Sequence, residues 1–395
     1  MARFARTTND RVGFAELFFD LVFVFAITQV SHLLLHHYTL AGVLETALIF
    51  LAIWWVWIYS TWVLNWLDPE RVSVRAMLFL LMTAGLFLSM AVPMAFAERG
   101  LVFALAYVAM QLGRSLFVLW TVWDVAVRRA SYLRISAWFG LSCGIWIAGG
   151  LVRDPHLRLA LWTLALAVDF LAPVISYRLP GLGADLSTNW AVRGAHMAER
   201  CGLFVIICLG ETLLVSGATF AETAWDGPGM LAFLSSVAGS VGMWWVYFHI
   251  GHRRGAHQIE HAEDAGAIAR LSFTYLHIPI VAGVVLAAVG AERAIAHPGD
   301  AATLAEGASV IGGVALFLLG NGLFKRQSAA WFPLSHWGAW GSARWPLPPA
   351  PGRRWWCRIW PRRRSWPSWR CGSTGRSAPA PLDRSQGGRR RAAAA

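Results

Sequence analysis

Residues 14–32, FAELFFDLVFVFAITQVSH, make an apolar run that carries two carboxylates near its start, Glu16 and Asp20. A bilayer is crossed by about 20 predominantly apolar residues in helical form, so the run is long enough to span one. A charged side chain within such a helix costs about 3 kcal/mol unless it finds a partner or reaches water. Glu16 and Asp20 stand one helical turn apart and so share one face.

The rest of the chain repeats the pattern. Of 395 residues 57% are hydrophobic and 14% charged, and the apolar residues gather in runs of about 20. We therefore expect an all-α, polytopic transmembrane helical bundle. Ten spans are placed at about 14–36, 41–63, 74–96, 101–123, 132–152, 157–177, 197–219, 230–250, 270–290 and 303–324. The first run is too long and too acidic for a cleavable leader and reads as an uncleaved span. Sixteen Lys and Arg fall on the N-terminus and every second loop, four fall on the alternate loops, and Arg114 lies inside span four. The positive-inside rule then puts the N-terminus in the cytoplasm.

The formal charge of +12 suggests nucleic acid or anionic lipid until it is counted by region. Residues 341–395 hold 13 Arg and one Asp, whereas residues 1–340 hold equal numbers of both signs. No nucleic-acid partner is expected. The tail, 336–395, is rich in Arg, Trp and Pro and poor in Leu, Ile and Val. A Leu/Ala/Val-rich span read one base out of frame would look like this, because CTG followed by G then reads TGG. We read a frame change between about His336 and Arg344 and a disordered tail, the rival reading being an Arg/Trp-rich interfacial or nucleic-acid-binding tail. The five cysteines match no zinc spacing, and neither a phosphate loop nor a nucleophile elbow is present, so no metal or cofactor is expected.

A weak internal repeat runs through the chain. Ala15-Glu16 matches Ala198-Glu199, and Trp54-Trp55-Val56-Trp57 matches Trp244-Trp245-Val246-Tyr247. Ala97-Glu98-Arg99 matches Ala291-Glu292-Arg293, and LGRSLF (112–117) matches LGNGLF (319–324). This predicts two parallel six-helix units, residues 1–180 and 190–335, the second keeping four spans. Such duplicated bundles are common in transporters.

The polar residues inside the spans are the candidate site: Glu16, Asp20, Glu199, Glu211, Arg114, Asp169 and His277. Glu16 either lines a pathway or sits at the interface neutralised by Arg11. Arg114 could pair with Asp20, Asp169 or Glu211. Gln29 and His32 lie toward the outer end. Pro279 predicts a kink. His257 and His261, in the loop HIGHRRGAHQIEHAED, share a helix face but do not form the HExxH pattern. Trp54, Trp55, Trp57, Trp62, Trp244 and Trp245 read as packing and interface anchors. Gly140, Gly144 and Ala148 form a small-residue face expected to pack closely on a neighbour.

The runs ELFFDLVFVFAITQVSHLL (16–34), HMAERCGLFVIICLGETLLVSGATF (196–220), YLHIPIVAG (275–283) and LGNGLFKR (319–326) resemble the bacterial low temperature requirement A (LtrA) proteins. The resemblance implies a polytopic inner-membrane protein linked to growth in the cold, with further spans where the tail now stands. FFDLVFVFAIT (18–28) is also similar to the first-helix motif of the TMEM175-type potassium channels, with Asp20 in the Asp position. We expect a channel or transporter for a cation or small solute, with the lipid bilayer as its partner and a homo-oligomer as an open option. A lipid-modifying enzyme using His277 and Glu211, or a non-transporting structural or sensing protein, are the alternatives.

Overall fold

The computed structural model describes residues 4–6, 11–185, 192–223, 225–249, 264–300 and 303–329, all within one unit, Met1–Gly341. The Arg/Trp-rich tail, where further spans are expected, and most of the histidine loop lie outside the described residues.

Among the described residues the fold is helical throughout. The long helices are α1 (Phe14–His36), α2 (Leu40–Trp66), α3 (Val72–Ala91), α4 (Gly100–Thr121), α5 (Ala126–Leu151), α6 (Pro155–Val174), α7 (Gly194–Glu222) and α8 (Gly227–Phe248). A short α9 (Ala265–Ala269) leads through a π-helical segment, Arg270–Tyr275, into α10 (His277–Ala296), and α11 (Leu304–Ala329) follows. Nine of the described helices, counting α9 through α10 as one, are long and apolar enough to cross a membrane. The tenth expected span is α5, which carries Arg128, Arg129 and Arg134 in its first half and does not meet that standard.

Helix boundaries follow local chemistry. The Thr39, Asp154 and Asp226 side chains accept the N–H of Gly42, Leu157 and Gly229, closing the first turns of α2, α6 and α8. Pro155 and Pro228 then stand in those first turns, where a missing N–H costs nothing. The kink expected at Pro279 takes the form of the π segment. Pro279 has no N–H for the turn before it, and the widened turn ends with Leu276 N–H donating to Leu271 O at 3.0 Å. The Thr274 carbonyl is served from outside by Trp54 Nε1 at 2.9 Å, and Trp62 Nε1 donates to the Thr274 hydroxyl at 2.9 Å.

The bundle core runs along α2, where Trp54, Trp55 and Trp57 are buried. Those tryptophans are therefore packing residues rather than interface anchors; Trp54 and Trp57 also donate hydrogen bonds, and Trp55 stacks on Phe170 at 3.9 Å. Trp244 and Trp245 on α8 are exposed, at 45% and 58%. The two helices that match in the expected repeat thus have opposite surroundings. α1 packs on α2, α3 and α7, α7 packs on α8 and α10, and α10 on α11 is the most extensive helix pair. Large exposed apolar side chains such as Phe18, Leu80, Ile311 and Leu319 cover the outside, as they must where the solvent is lipid.

The small-residue face of α5 behaves differently from expectation. Nothing lies within 4 Å of a Cβ built on Gly140 or Gly144, so this face points away from the bundle. The close approach is made by Gly150 instead, where a Cβ would meet Leu101 Cα at 3.0 Å and Gly100 O at 3.1 Å. Periodicity alone gives the face and not its direction.

Candidate functional site

The carboxylates of α1 are held in a dry, charge-matched network. Residues 4–6 run beside the end of α2, with Arg6 N–H donating to Trp66 O at 2.9 Å and Asp68 N–H to Phe4 O at 3.0 Å. This docks the Arg6 guanidinium on Glu16, Nη2 to Oε2 at 3.1 Å. Glu16 also accepts from Gly13 N–H at 2.7 Å, which fixes the first turn of α1. One turn on, Asp20 accepts from Arg200 Nη1 at 2.8 Å and from Trp57 Nε1 at 2.9 Å. Arg200 Nη1 reaches the Glu16 carbonyl as well, at 3.0 Å. Glu16, Asp20, His196 and Arg200 are all 0% exposed.

His196 completes the network, and its tautomer follows from its neighbours. Asn65 is oriented by the Arg193 backbone, its Oδ1 accepting the N–H at 3.0 Å and its Nδ2 donating to the carbonyl at 2.9 Å. Asn65 Nδ2 then faces His196 Nδ1 at 3.2 Å, so that ring nitrogen is the acceptor. His196 Nε2 carries the proton and donates to Glu16 Oε1 at 2.8 Å. Arg6 Nη1, 2.9 Å from the same nitrogen, directs its hydrogens to Glu16 and to the Leu64 carbonyl. A neutral imidazole leaves two carboxylates facing two guanidiniums. Replacing Asn65 by Leu removes the donor to His196 and both partners of the Arg193 backbone. We expect a loss of about 1–3 kcal/mol, read as a lower unfolding midpoint in detergent; an unchanged midpoint would show that Asn65 fixes nothing.

Glu16 is thus neutralised by Arg6 rather than Arg11, and it is fully buried rather than interfacial. Glu199 caps the same end of the bundle by accepting Val12 N–H at 3.1 Å.

Arg114 pairs with neither Asp20 nor Glu211. Its Nη1 donates to Val56 O at 3.0 Å and Ser60 Oγ at 2.9 Å. It reaches Asp169 only through a relay. Arg114 Nη2 donates to Gln111 Oε1, Gln111 Nε2 to Tyr107 Oη at 3.4 Å, and Tyr107 Oη to Asp169 Oδ2 at 2.7 Å. Ser142 Oγ and Trp146 Nε1 donate to the same carboxylate. Every hydrogen bond runs from cation toward anion, which lets each polarise the next.

His277 begins α10 with both ring nitrogens engaged. Its Nδ1 faces the Ser272 carbonyl at 2.8 Å and so carries the proton, and Nε2 accepts from Tyr247 Oη at 2.8 Å. It ties the π segment to α8 and is 0% exposed.

Glu211 differs from all of these. It is 5% exposed and lies on α7 where that helix packs against α10. Neither it nor Glu292 of α10 has a salt bridge or hydrogen bond among the described residues. Glu292 lies within electrostatic reach of Glu211. Glu292 borders an open cavity of about 310 Å³ with His32, His36, Arg293 and His297, at the end of the bundle opposite Arg6. Arg293 is committed to Glu306 at 2.9 Å. A second cavity of about 370 Å³, between α8, α10 and α11, adjoins it through Arg293 and His297. No group of three His, Cys, Asp or Glu among the described residues is arranged to hold a metal.

The sequence model for the bacterial low temperature requirement A protein (LtrA) matches residues 11–347. The chain belongs to the LtrA family. A relative from Rhizobium meliloti (strain 1021), "Uncharacterized protein RA0937", is 43% identical over 338 residues, covering 84% of this chain and 81% of that protein. No solved structure matches the chain. Among LtrA residues singled out from sequence, Glu16 and Asp20 meet in one network and Arg114 and Asp169 in another, while Glu211 stands apart with Glu292. Sequence reading missed Arg200, Arg6 and Glu292 as site residues. Arg200 carried a usable signal, a cation one turn inside an apolar run. Glu292 reads as the polar end of a span, and nothing local shows that its helix packs on the one carrying Glu211.

Proposed function

We propose that the protein is a multi-pass inner-membrane transport protein, a channel or carrier for a cation or small solute, with its N-terminus in the cytoplasm. The observation that carries this reading is the Glu211–Glu292 pair. Two carboxylates on packed helices, neither with a hydrogen bond or ion pair among the described residues, are a place where a proton or a cation would be favoured. The vestibule beside Glu292 gives such an ion a route from the outer face. The emphasis moves from Asp20, which Arg200 already neutralises, to Glu211. The parallel packing of α1 on α3 and of α7 on α10 supports the duplicated architecture, and sites in such folds lie between the repeats and beside broken helices. The low-temperature requirement in the family's name is a phenotype and specifies no chemistry.

The test is flux in proteoliposomes under potassium, sodium and proton gradients. The wild type is expected to carry at least one of these ions, and Glu211→Gln and Glu292→Gln to reduce that flux about tenfold or more. A second reading, a non-transporting structural or sensing protein, is favoured by the complete pairing of Glu16 and Asp20. Absence of flux from well-folded wild type would leave that reading standing and end the first.

A further inference from the structure

The vestibule that Glu292 borders is lined by three imidazoles, those of His32, His36 and His297. His32 and His36 stand one turn apart near the end of α1, and His297 follows the last turn of α10. His32 is part-buried, while His36 and His297 are exposed. By volume the space holds about ten waters. Glu292 Oε2 is buried and accepts no hydrogen bond among the described residues. The other charges at this end have partners of their own: Arg293 pairs with Glu306 of α11 at 2.9 Å, and His297 lies 4.0 Å from Asp300. α8 brings no charge to the adjoining cavity. Glu211, on α7, is within electrostatic reach of Glu292.

The surroundings of the two acids favour one kind of cation. α10 carries no side-chain oxygen between His277 and Glu292. On α7 the Thr212 hydroxyl donates to the Cys208 carbonyl at 3.1 Å, and the Ser216 hydroxyl bonds that of Ser236 at 2.7 Å. A dehydrated metal cation takes about six or more oxygens, more than two carboxylates supply. A proton needs a single lone pair, and imidazoles take up and release protons near neutral pH. We propose that the ion carried is the proton, gathered by His32, His36 and His297, handed to the Glu292 carboxylate and passed on to Glu211. In the first transfer an imidazolium N–H proton moves, directly or along vestibule water, to a carboxylate oxygen, leaving a neutral imidazole and a neutral carboxyl. In the second the Glu292 carboxyl gives that proton to the Glu211 carboxylate and regains its charge. The assignment rests on the transport reading above and specifies its ion.

The experiment follows luminal pH with a trapped dye in proteoliposomes of the full chain, under a potential set by potassium and valinomycin. The wild type is expected to acidify the lumen, about tenfold more slowly when the medium is raised from about pH 5.5 to about pH 7.5, as imidazolium is lost. His36→Gln combined with His297→Gln alters only exposed side chains, so the bundle stays intact. That variant is expected to slow proton entry about tenfold and to recover toward the wild-type rate when imidazole is added to the medium. Glu292→Gln is expected to block entry with no recovery by imidazole. Potassium or sodium flux without proton flux would overturn the proton assignment and leave the transport reading standing, whereas no flux of any ion would end both. Proton entry that the histidine variant leaves unchanged, or that imidazole does not restore, would overturn the relay.

Discussion

Arg200→Met is expected to cost about 3–5 kcal/mol, enough to leave little folded protein, because it strips the cation from a wholly buried Asp20. Only Trp57 Nε1 would then serve that carboxylate, and a lone ion in a low-dielectric interior loses its hydration with nothing in return. The same guanidinium also donates to the Glu16 carbonyl and, at 3.4 Å, to Thr61 Oγ1. It joins α7 to both α1 and α2. Arg200→Lys keeps the charge but not the fork, so an intermediate loss is expected. The pair Asp20→Leu with Arg200→Met should recover much of the stability, since exchanging both members of a buried ion pair for apolar residues is often neutral. Thermal unfolding in detergent across this set gives the coupling energy. Additive single and double variants would show that the pair does not act as a unit.

The second large effect is expected at Gly313. A Cβ there would lie 2.5 Å from Ala287 N and 2.9 Å from Ala287 Cα, and one on Gly283 would strike the Phe317 backbone. These obstacles are main chain, so no rotamer change relieves them, and α10 and α11 must part. Gly313→Val should therefore cost at least the roughly 1–3 kcal/mol of ordinary overpacking. Gly144→Ala on α5 meets nothing within 4 Å and should be neutral or stabilising by up to about 1 kcal/mol. Unfolding midpoints of the two variants test the contrast, and equal midpoints would contradict the described packing.

Much of the fold was legible because it is set by local quantities. Apolar run length marks the spans, and Pro279 marks the broken one. What local pattern could not give was direction and partner. Trp54 and Trp244 stand in matching sequence, yet one is buried and the other exposed, because burial depends on which helix arrives beside them. Asp169 reads as an isolated acid until Tyr107, Ser142 and Trp146 converge on it from two other helices.

Residues 14–32 show the division. The sequence by itself determined a spanning helix with two acids on one face, since a bilayer tolerates only closed backbone hydrogen bonding and helix geometry sets the spacing. Only the tertiary structure decided that both acids are already answered, by Arg6 and Arg200 from sites 10 and 180 residues away. It also decided that Glu211 and Glu292 are not. Charge compensation in a dry interior depends on distances of a few ångströms between helices, and those distances are a property of packing rather than of any local run of residues.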